Sequence, residues 1–385
     1  MAQATIDWPT FGGSAQRSGY NASETILSPS TVPHLRLHWR AKAGPVYGHN
    51  IFEPSLLRQV KTPSGTFDLL LMTLSGGAVT ALDAATGKTV WSTGIIPTRI
   101  TCPDGTSSVI GIGEPATVDV DHGRVFVVDA GGMLHALALA TGIEMAGYPI
   151  EVIDTGNLAA ATWVHFASPT LLGSNLYIAT AAHCESRQAP YHGQVIQFST
   201  VTGTVLHRFY PMGNGAVLGG SFWGSGGIAA EPDGSHLWGA TGNSLPPPQN
   251  TGNAEKVVQL DANLNLVAAD GPVLNPRGDL DFGSTPLLFQ PTGCPPMLAA
   301  LNKAGLLVVY NRGSLGSGAT QTLSISDGGG SGRLIGMAAF DPVTNAVYVG
   351  NPQDSADGVY RHGLLALQAD ASCQLIVAMA ADIRR

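Results

Sequence analysis

The sequence predicts an all-β propeller of four-stranded antiparallel blades, and three observations predict it. The first is a repeated strand–turn–strand unit. It reads Ala81-Leu82-Asp83-Ala84-Ala85-Thr86-Gly87-Lys88-Thr89-Val90-Trp91 and recurs at residues 136–144 and 197–205, with weaker copies at 259–266 and 365–370. In the clearest copies an alternating run enters, Asp or Thr with Gly makes the turn, and a second apolar run leaves. The second observation is what stands upstream. A strand-like run precedes each unit at 67–74, 124–129, 176–180, 236–241, 297–301 and 346–350. Before each run sits a short segment with Pro or small residues, such as Glu53-Pro54-Ser55-Leu56-Leu57, Glu114-Pro115-Ala116-Thr117-Val118 and Ser168-Pro169-Thr170-Leu171-Leu172. The unit is therefore four strands, repeated six times at roughly 50 residues, which is the spacing of propeller blades. The third is composition. With 49 Gly, only 12% charged residues and 44% apolar residues in 385, the chain suits short strands and tight turns and excludes disorder or a coiled coil.

One piece is left over. Residues 35–42, Leu-Arg-Leu-His-Trp-Arg-Ala-Lys, read as an outer strand with no three strands before it. The expected organisation is a lead-in segment, 1–34, packing on a single propeller domain, 35–385. Six blades are recognisable, with either an extra strand or an incomplete seventh blade.

The net charge of −8, with 19 basic residues in all, argues against nucleic-acid binding. No apolar run approaches the length of a membrane span. The N-terminus lacks the pattern of an export signal. The four cysteines, Cys102, Cys184, Cys294 and Cys373, are too widely spaced for a CxxC zinc site or a CxxCH haem site.

Residues 81–91 resemble the tryptophan-docking repeat of propellers of the pyrroloquinoline quinone (PQQ) alcohol dehydrogenase type. The opening Asp7-Trp8-Pro9-Thr10-Phe11-Gly12-Gly13, with Arg17-Ser18-Gly19-Tyr20-Asn21, is similar to the lead-in of that superfamily. So are Pro190-Tyr191-His192-Gly193, Phe222-Trp223-Gly224-Ser225-Gly226-Gly227, Ala240-Thr241-Gly242-Asn243 and Asp281-Phe282-Gly283-Ser284. The resemblance implies a bacterial, secreted propeller. The superfamily holds both quinoprotein dehydrogenases and non-enzymatic scaffolds. Quinoprotein alcohol dehydrogenases usually carry eight blades and an adjacent Cys-Cys pair beside the cofactor, and this sequence has no such pair.

Propeller topology sorts the loops. Blade-to-blade connections and the loops between second and third strands share one face; the remaining loops share the other. Cys102 and Cys184 fall on the first face, Cys294 and Cys373 on the second. These pairings are compatible with two disulfides and an oxidising, extracellular or periplasmic location. His49, His165, His183 and His192 fall on the first face, and Glu53 and Glu114 stand where inner strands enter the channel. Imidazoles and carboxylates there would suit Zn, Cu or Fe. Trp223 offers an apolar floor for a flat ligand. Asn243, Lys303 and Arg361 share its face, and the two cations suit an anionic group.

The leading expectation is a secreted, monomeric propeller that binds a metal ion or small ligand in its axial funnel, with oxidoreductase activity as the catalytic option. The alternatives are a non-catalytic scaffold with a protein partner on one face and a dehydrogenase using PQQ with calcium. No haem and no membrane span are expected.

Overall fold

The computed structural model describes residues 6–46, 52–153, 163–164, 167–184, 191–213, 215, 217–245, 248, 250–275, 278–327 and 336–381. Among them, six four-stranded antiparallel sheets follow one another along the chain. Blade 1 comprises Ser55–Thr62, Gly65–Thr73, Ala78–Asp83 and Thr89–Gly94. Blade 2 comprises Thr117–Asp119, Arg124–Val128, Met133–Ala138 and Ile150–Glu151. Blade 3 comprises Thr170–Leu172, Asn175–Ala179, Val195–Ser199 and Thr204–Phe209. Blade 4 comprises Ala229–Ala230, His236–Ala240, Val257–Asp261 and Leu266–Asp270. Blade 5 comprises Leu287–Phe289, Met297–Leu301, Leu306–Asn311 and Gln321–Ser324. Blade 6 comprises Ala339–Asp341, Ala346–Asn351, Gly363–Ala369 and Leu375–Ala381.

The middle strands of blades 2 to 5 are buried on both faces, because each of these blades packs between two others. Met297–Leu301 is buried throughout, and so is Val195–Ser199. Outer strands are largely exposed, as in Thr204–Phe209, where only Phe209 is buried. Five apolar clusters join consecutive blades. They are centred on Val79 and Leu137, Phe126 and Ile178, Phe222 and Val258, Trp238 and Leu298, and Leu307 and Val347. Among the described residues no equivalent cluster joins blade 6 to blade 1.

The lead-in segment crosses the axial channel. Trp8 pairs with Leu56 of blade 1, Val118 N–H of blade 2 donates to Pro9 O at 2.8 Å, and Ala230 N–H of blade 4 donates to Ala15 O at 2.9 Å. Phe340 N–H of blade 6 donates to Ser18 O at 3.0 Å. Arg17 is fully buried between them. Its guanidinium donates to Thr10 Oγ1 (2.7 Å), Phe11 O (2.7 Å), Ser168 O (3.1 Å), Pro169 O (3.1 Å), Thr170 Oγ1 (2.7 Å) and Ile228 O (3.3 Å). One side chain thus saturates carbonyls of the lead-in, blade 3 and blade 4, which backbone pairing alone would leave unpaired.

Tryptophan docking is visible atom by atom. Trp91 Nε1 donates to Leu139 O at 2.9 Å, and the indole lies on Gly142, where a Cβ would stand 2.4 Å from the ring. Trp39 repeats this on blade 1. Its Nε1 donates to Ala84 O at 3.0 Å, and a Cβ at Gly87 would stand 2.5 Å from the ring. The expected strand at 35–42 is corrected here, because no strand forms. The segment is held by Trp39 without a neighbouring ladder, and Leu35 and Leu37 stand 60% and 70% exposed. Both cysteine pairings are present as disulfides, Cys102–Cys184 and Cys294–Cys373.

Candidate functional site

The polar side chains that converge lie at the mouth of blades 4 and 5. Trp223 precedes the first strand of blade 4, and Asp281 precedes that of blade 5. Asn243 and Lys303 follow the second strands of the same blades. All four therefore sit on the face of the blade-to-blade connections. Trp223 Nε1 donates to Asp281 Oδ2 at 2.9 Å. Lys303 Nζ lies 2.8 Å from Asp281 Oδ1 and 2.6 Å from Asp279 Oδ1, and 4.6 Å from the centroid of the Trp223 ring. Asn243 Nδ2 donates to Asp279 Oδ1 at 3.2 Å. Glycine permits the closeness. A Cβ at Gly283 would stand 2.6 Å from the indole, and one at Gly242 would stand 2.5 Å from Ser221 Oγ and 2.9 Å from Asp281 Oδ2.

Glu255 completes the cluster. Its N–H donates to the carbonyl of Gly242, its backbone holds a left-handed φ of 54°, and it is 2% exposed. Among the described residues, neither carboxylate oxygen accepts a hydrogen bond, and Asn243 Oδ1 and Ser221 Oγ are also without partners. Burial, then the charges of Asp281 and Asp279, raise the Glu255 carboxyl to about 7, with Lys303 opposing. Burial works against the Lys303 ammonium, but Asp281 and Asp279 outweigh it and hold its pKa above the ordinary value. A buried carboxyl without a partner, on strained backbone, is costly for the fold and makes this cluster the candidate site.

Trp223, Asn243 and Lys303 are thus brought together. Arg361 is not: it lies on blade 6 and pairs with Asp354 at 3.1 Å, both groups exposed. Among the carboxylates expected at a metal, Glu53 accepts from Trp8 Nε1 and, at 3.2 Å, from Gly12 N–H, so it holds the lead-in segment. Glu114 is fully buried and accepts from Val128 N–H at 2.6 Å. His192 is buried edge-on to Tyr210, while His183 is half-buried beside Cys184. His49 and His165 lie outside the described residues. Among the described residues no group of three His, Cys, Asp or Glu side chains is placed to hold a metal ion. Sequence reasoning missed Glu255 and Asp279. The only trace of Glu255 in the sequence is an acidic residue two positions before the strand Val257–Asp261.

A second titratable cluster sits within blade 2. His135 Nδ1 lies 2.7 Å from Glu144 Oε2 and Nε2 lies 3.4 Å from Asp129 Oδ2. Burial opposes the charged imidazole, but hydrogen bonds and charges from Asp129 and Glu144 outweigh it and raise its pKa above 6.5. That stabilisation is complete below pH 6.5 and is lost as pH rises through the raised value. Urea unfolding from pH 6 to 9 should therefore show wild type losing stability relative to His135→Gln; parallel pH profiles would contradict this.

A flat tricarboxylate such as PQQ does not fit this cluster as it stands. Lys303 is the cation paired here, two carboxylates, Asp279 and Asp281, already hold it, and its ammonium covers the Trp223 ring. The cysteines are committed to two bridges between distant residues, so they form no adjacent pair.

Comparison with solved structures places the fold. The quinohemoprotein alcohol dehydrogenase of Comamonas testosteroni superimposes with a TM-score of 0.66 at 15% identity, covering 96% of this chain and 60% of that one. The quinohemoprotein alcohol dehydrogenase ADHIIG of Pseudomonas putida HK5 gives 0.67 at 15% identity, covering 97% and 61%. A europium-containing methanol dehydrogenase gives 0.67 at 14% identity, covering 94% and 73%. The chain thus spans about three-fifths of the length of the first two, and at such identities the likeness is one of fold. Comparison with curated protein sequences finds no match. The family model described as "PQQ: Glucose/ethanol/alcohol dehydrogenase, beta-propeller domain" matches residues 8–241. With its repeated blades and docked tryptophans, the chain belongs to the family of PQQ-type glucose/ethanol/alcohol dehydrogenase propeller domains.

Proposed function

We propose that this chain is an extracellular or periplasmic propeller that binds a small ligand at the mouth of blades 4 and 5. One observation carries the reading: Trp223, Asn243, Asp279, Asp281 and Lys303 converge there around a buried carboxyl, Glu255, that accepts no hydrogen bond. The two disulfides support an oxidising compartment. In such a site the indole supplies a binding face, and Asp281 and Glu255 supply acceptors for ligand protons. The lead-in segment across the channel favours a ligand that stays at the mouth.

The family match favours a second reading, oxidation of an alcohol with PQQ and calcium, a cofactor that the blade 4–5 cluster does not fit as it stands. A thermal-shift screen of small molecules on wild type and Trp223→Ala separates binding here from binding elsewhere. At a hundred times Kd a ligand of this site should stabilise wild type by about 2.7 kcal/mol and leave the variant unmoved. Hits that shift both proteins equally would overturn the reading.

A further inference from the structure

We propose that residues 35–42 are a docking strand, and that their partner is a strand-forming segment of another protein that carries acidic side chains. Position comes first. Trp39 docks on blade 1 as Trp91 docks on blade 2. Each indole N–H donates to a turn carbonyl, Ala84 O at 3.0 Å and Leu139 O at 2.9 Å, and each ring lies on a turn glycine, Gly87 and Gly142. Thr80 of blade 1 also donates to Ala43 O at 2.8 Å. Residues 35–42 therefore lie where the outer strand of a neighbouring blade would lie, on the side of blade 1 that no described blade covers. Trp91 sits in a ladder, opposite Ala81. Trp39 does not. Among the described residues no backbone N–H or C=O of residues 36–42 pairs with another backbone group, and the run forms neither helix nor turn. An unpaired run held by one anchor is a template for strand addition.

Charge then names the partner. The run carries apolar residues at 35, 37, 39 and 41 and basic ones at 36, 38, 40 and 42, which is the period of a strand with one apolar and one basic face. Arg36, Arg40 and Lys42 are exposed, and among the described residues none of them pairs with a carboxylate. No Asp or Glu stands between Glu24 and Glu53, in a chain whose net charge is −8. A basic strip on an acidic protein selects an acidic partner.

Two other occupants fit less well. Antiparallel pairing with a second copy sets basic residues against basic ones, such as Arg36 against Arg40, and like charges directly opposite are destabilising. A lipid surface would suit Leu35 and Leu37, which are 60% and 70% exposed, but the unpaired backbone beside them cannot enter hydrocarbon without a heavy penalty. An added strand satisfies that backbone and brings carboxylates to the basic face. Its other face meets Leu35 and Leu37, so β-branched residues should alternate with the acidic ones.

The test is hydrogen exchange of the full chain, read by mass spectrometry, with an end-blocked peptide alternating Val and Glu over about eight residues. A fluorescent form of the same peptide gives the affinity by anisotropy. The expected result is saturable binding that weakens with added salt and slows amide exchange within residues 36–42 by about tenfold or more. A peptide alternating Pro and Glu keeps the charge but loses half its backbone donors, and should bind at least about tenfold more weakly. Arg36→Glu with Arg40→Glu, both at exposed positions, should lose the Val-Glu peptide by about tenfold or more and take up one alternating Val and Lys. That exchange of preference is a gain that a misfolded variant cannot mimic. Should the double variant fail to fold, Leu37→Pro, at an exposed position, should weaken the Val-Glu peptide with every cation kept. Equal binding of the Pro-Glu peptide, or no binding of the Val-Glu peptide up to about 1 mM, would overturn the proposal. So would protection of residues 36–42 by self-association without peptide. Binding to phosphatidylcholine–phosphatidylglycerol vesicles with the Val-Glu peptide inert would overturn it in favour of a membrane surface.

Discussion

Replacing Arg17 with Met should lower the unfolding free energy by about 3–5 kcal/mol. The guanidinium is fully buried and donates to six acceptors drawn from the lead-in segment, blade 3 and blade 4. Burial pulls its pKa down to about 9, with Glu53 opposing, so it stays charged at neutral pH. Met matches much of its volume but donates nothing, leaving four carbonyls without that donor in the buried centre of the fold. Each such group costs about 1–3 kcal/mol. Lys should rescue little, because an ammonium cannot span the fork. Chemical denaturation of wild type, Arg17→Met and Arg17→Lys measures this. A loss under about 1 kcal/mol for Met would mean that the lead-in segment does not brace the blades.

The second large effect concerns the docked tryptophans. Trp91→Ala should cost about 3–5 kcal/mol. Trp91 is 8% exposed within the apolar cluster between blades 1 and 2 and donates to Leu139 O. Trp39 makes the same two contacts on blade 1, yet it is half-buried and belongs to a segment with no strand partner. Trp39→Ala should therefore cost less, about 1–2 kcal/mol, in the same denaturation series. Equal losses would show that residues 35–42 are covered as fully as a blade strand.

The blades were legible because their grammar is local. Asp83, Thr86 and Gly87 make a turn that needs those residue types, and the strand–turn–strand unit recurs at a spacing that no helix would use. Trp223, Asn243 and Lys303 were legible as residues of one face, since topology alone sorts loops by face. Their partners were not. Asp279 and Glu255 enter through loops packed where Gly242 and Gly283 have no Cβ to clash with Ser221 and Trp223, and no periodicity reports that. Glu53 and Glu114 stood in equivalent positions before Pro, but their partners, Trp8 with Gly12 and Val128, are set by tertiary contacts. Arg361 shared the expected face but sits in blade 6, where Asp354 takes its charge.

The screen on wild type and Trp223→Ala contains the most direct comparison when PQQ with calcium chloride is run beside the other small molecules. The account predicts that a ligand of this site stabilises wild type alone and that PQQ with calcium shifts neither protein. Stabilisation of wild type by PQQ with calcium, lost in Trp223→Ala, would contradict it and restore the tricarboxylate cofactor to this site.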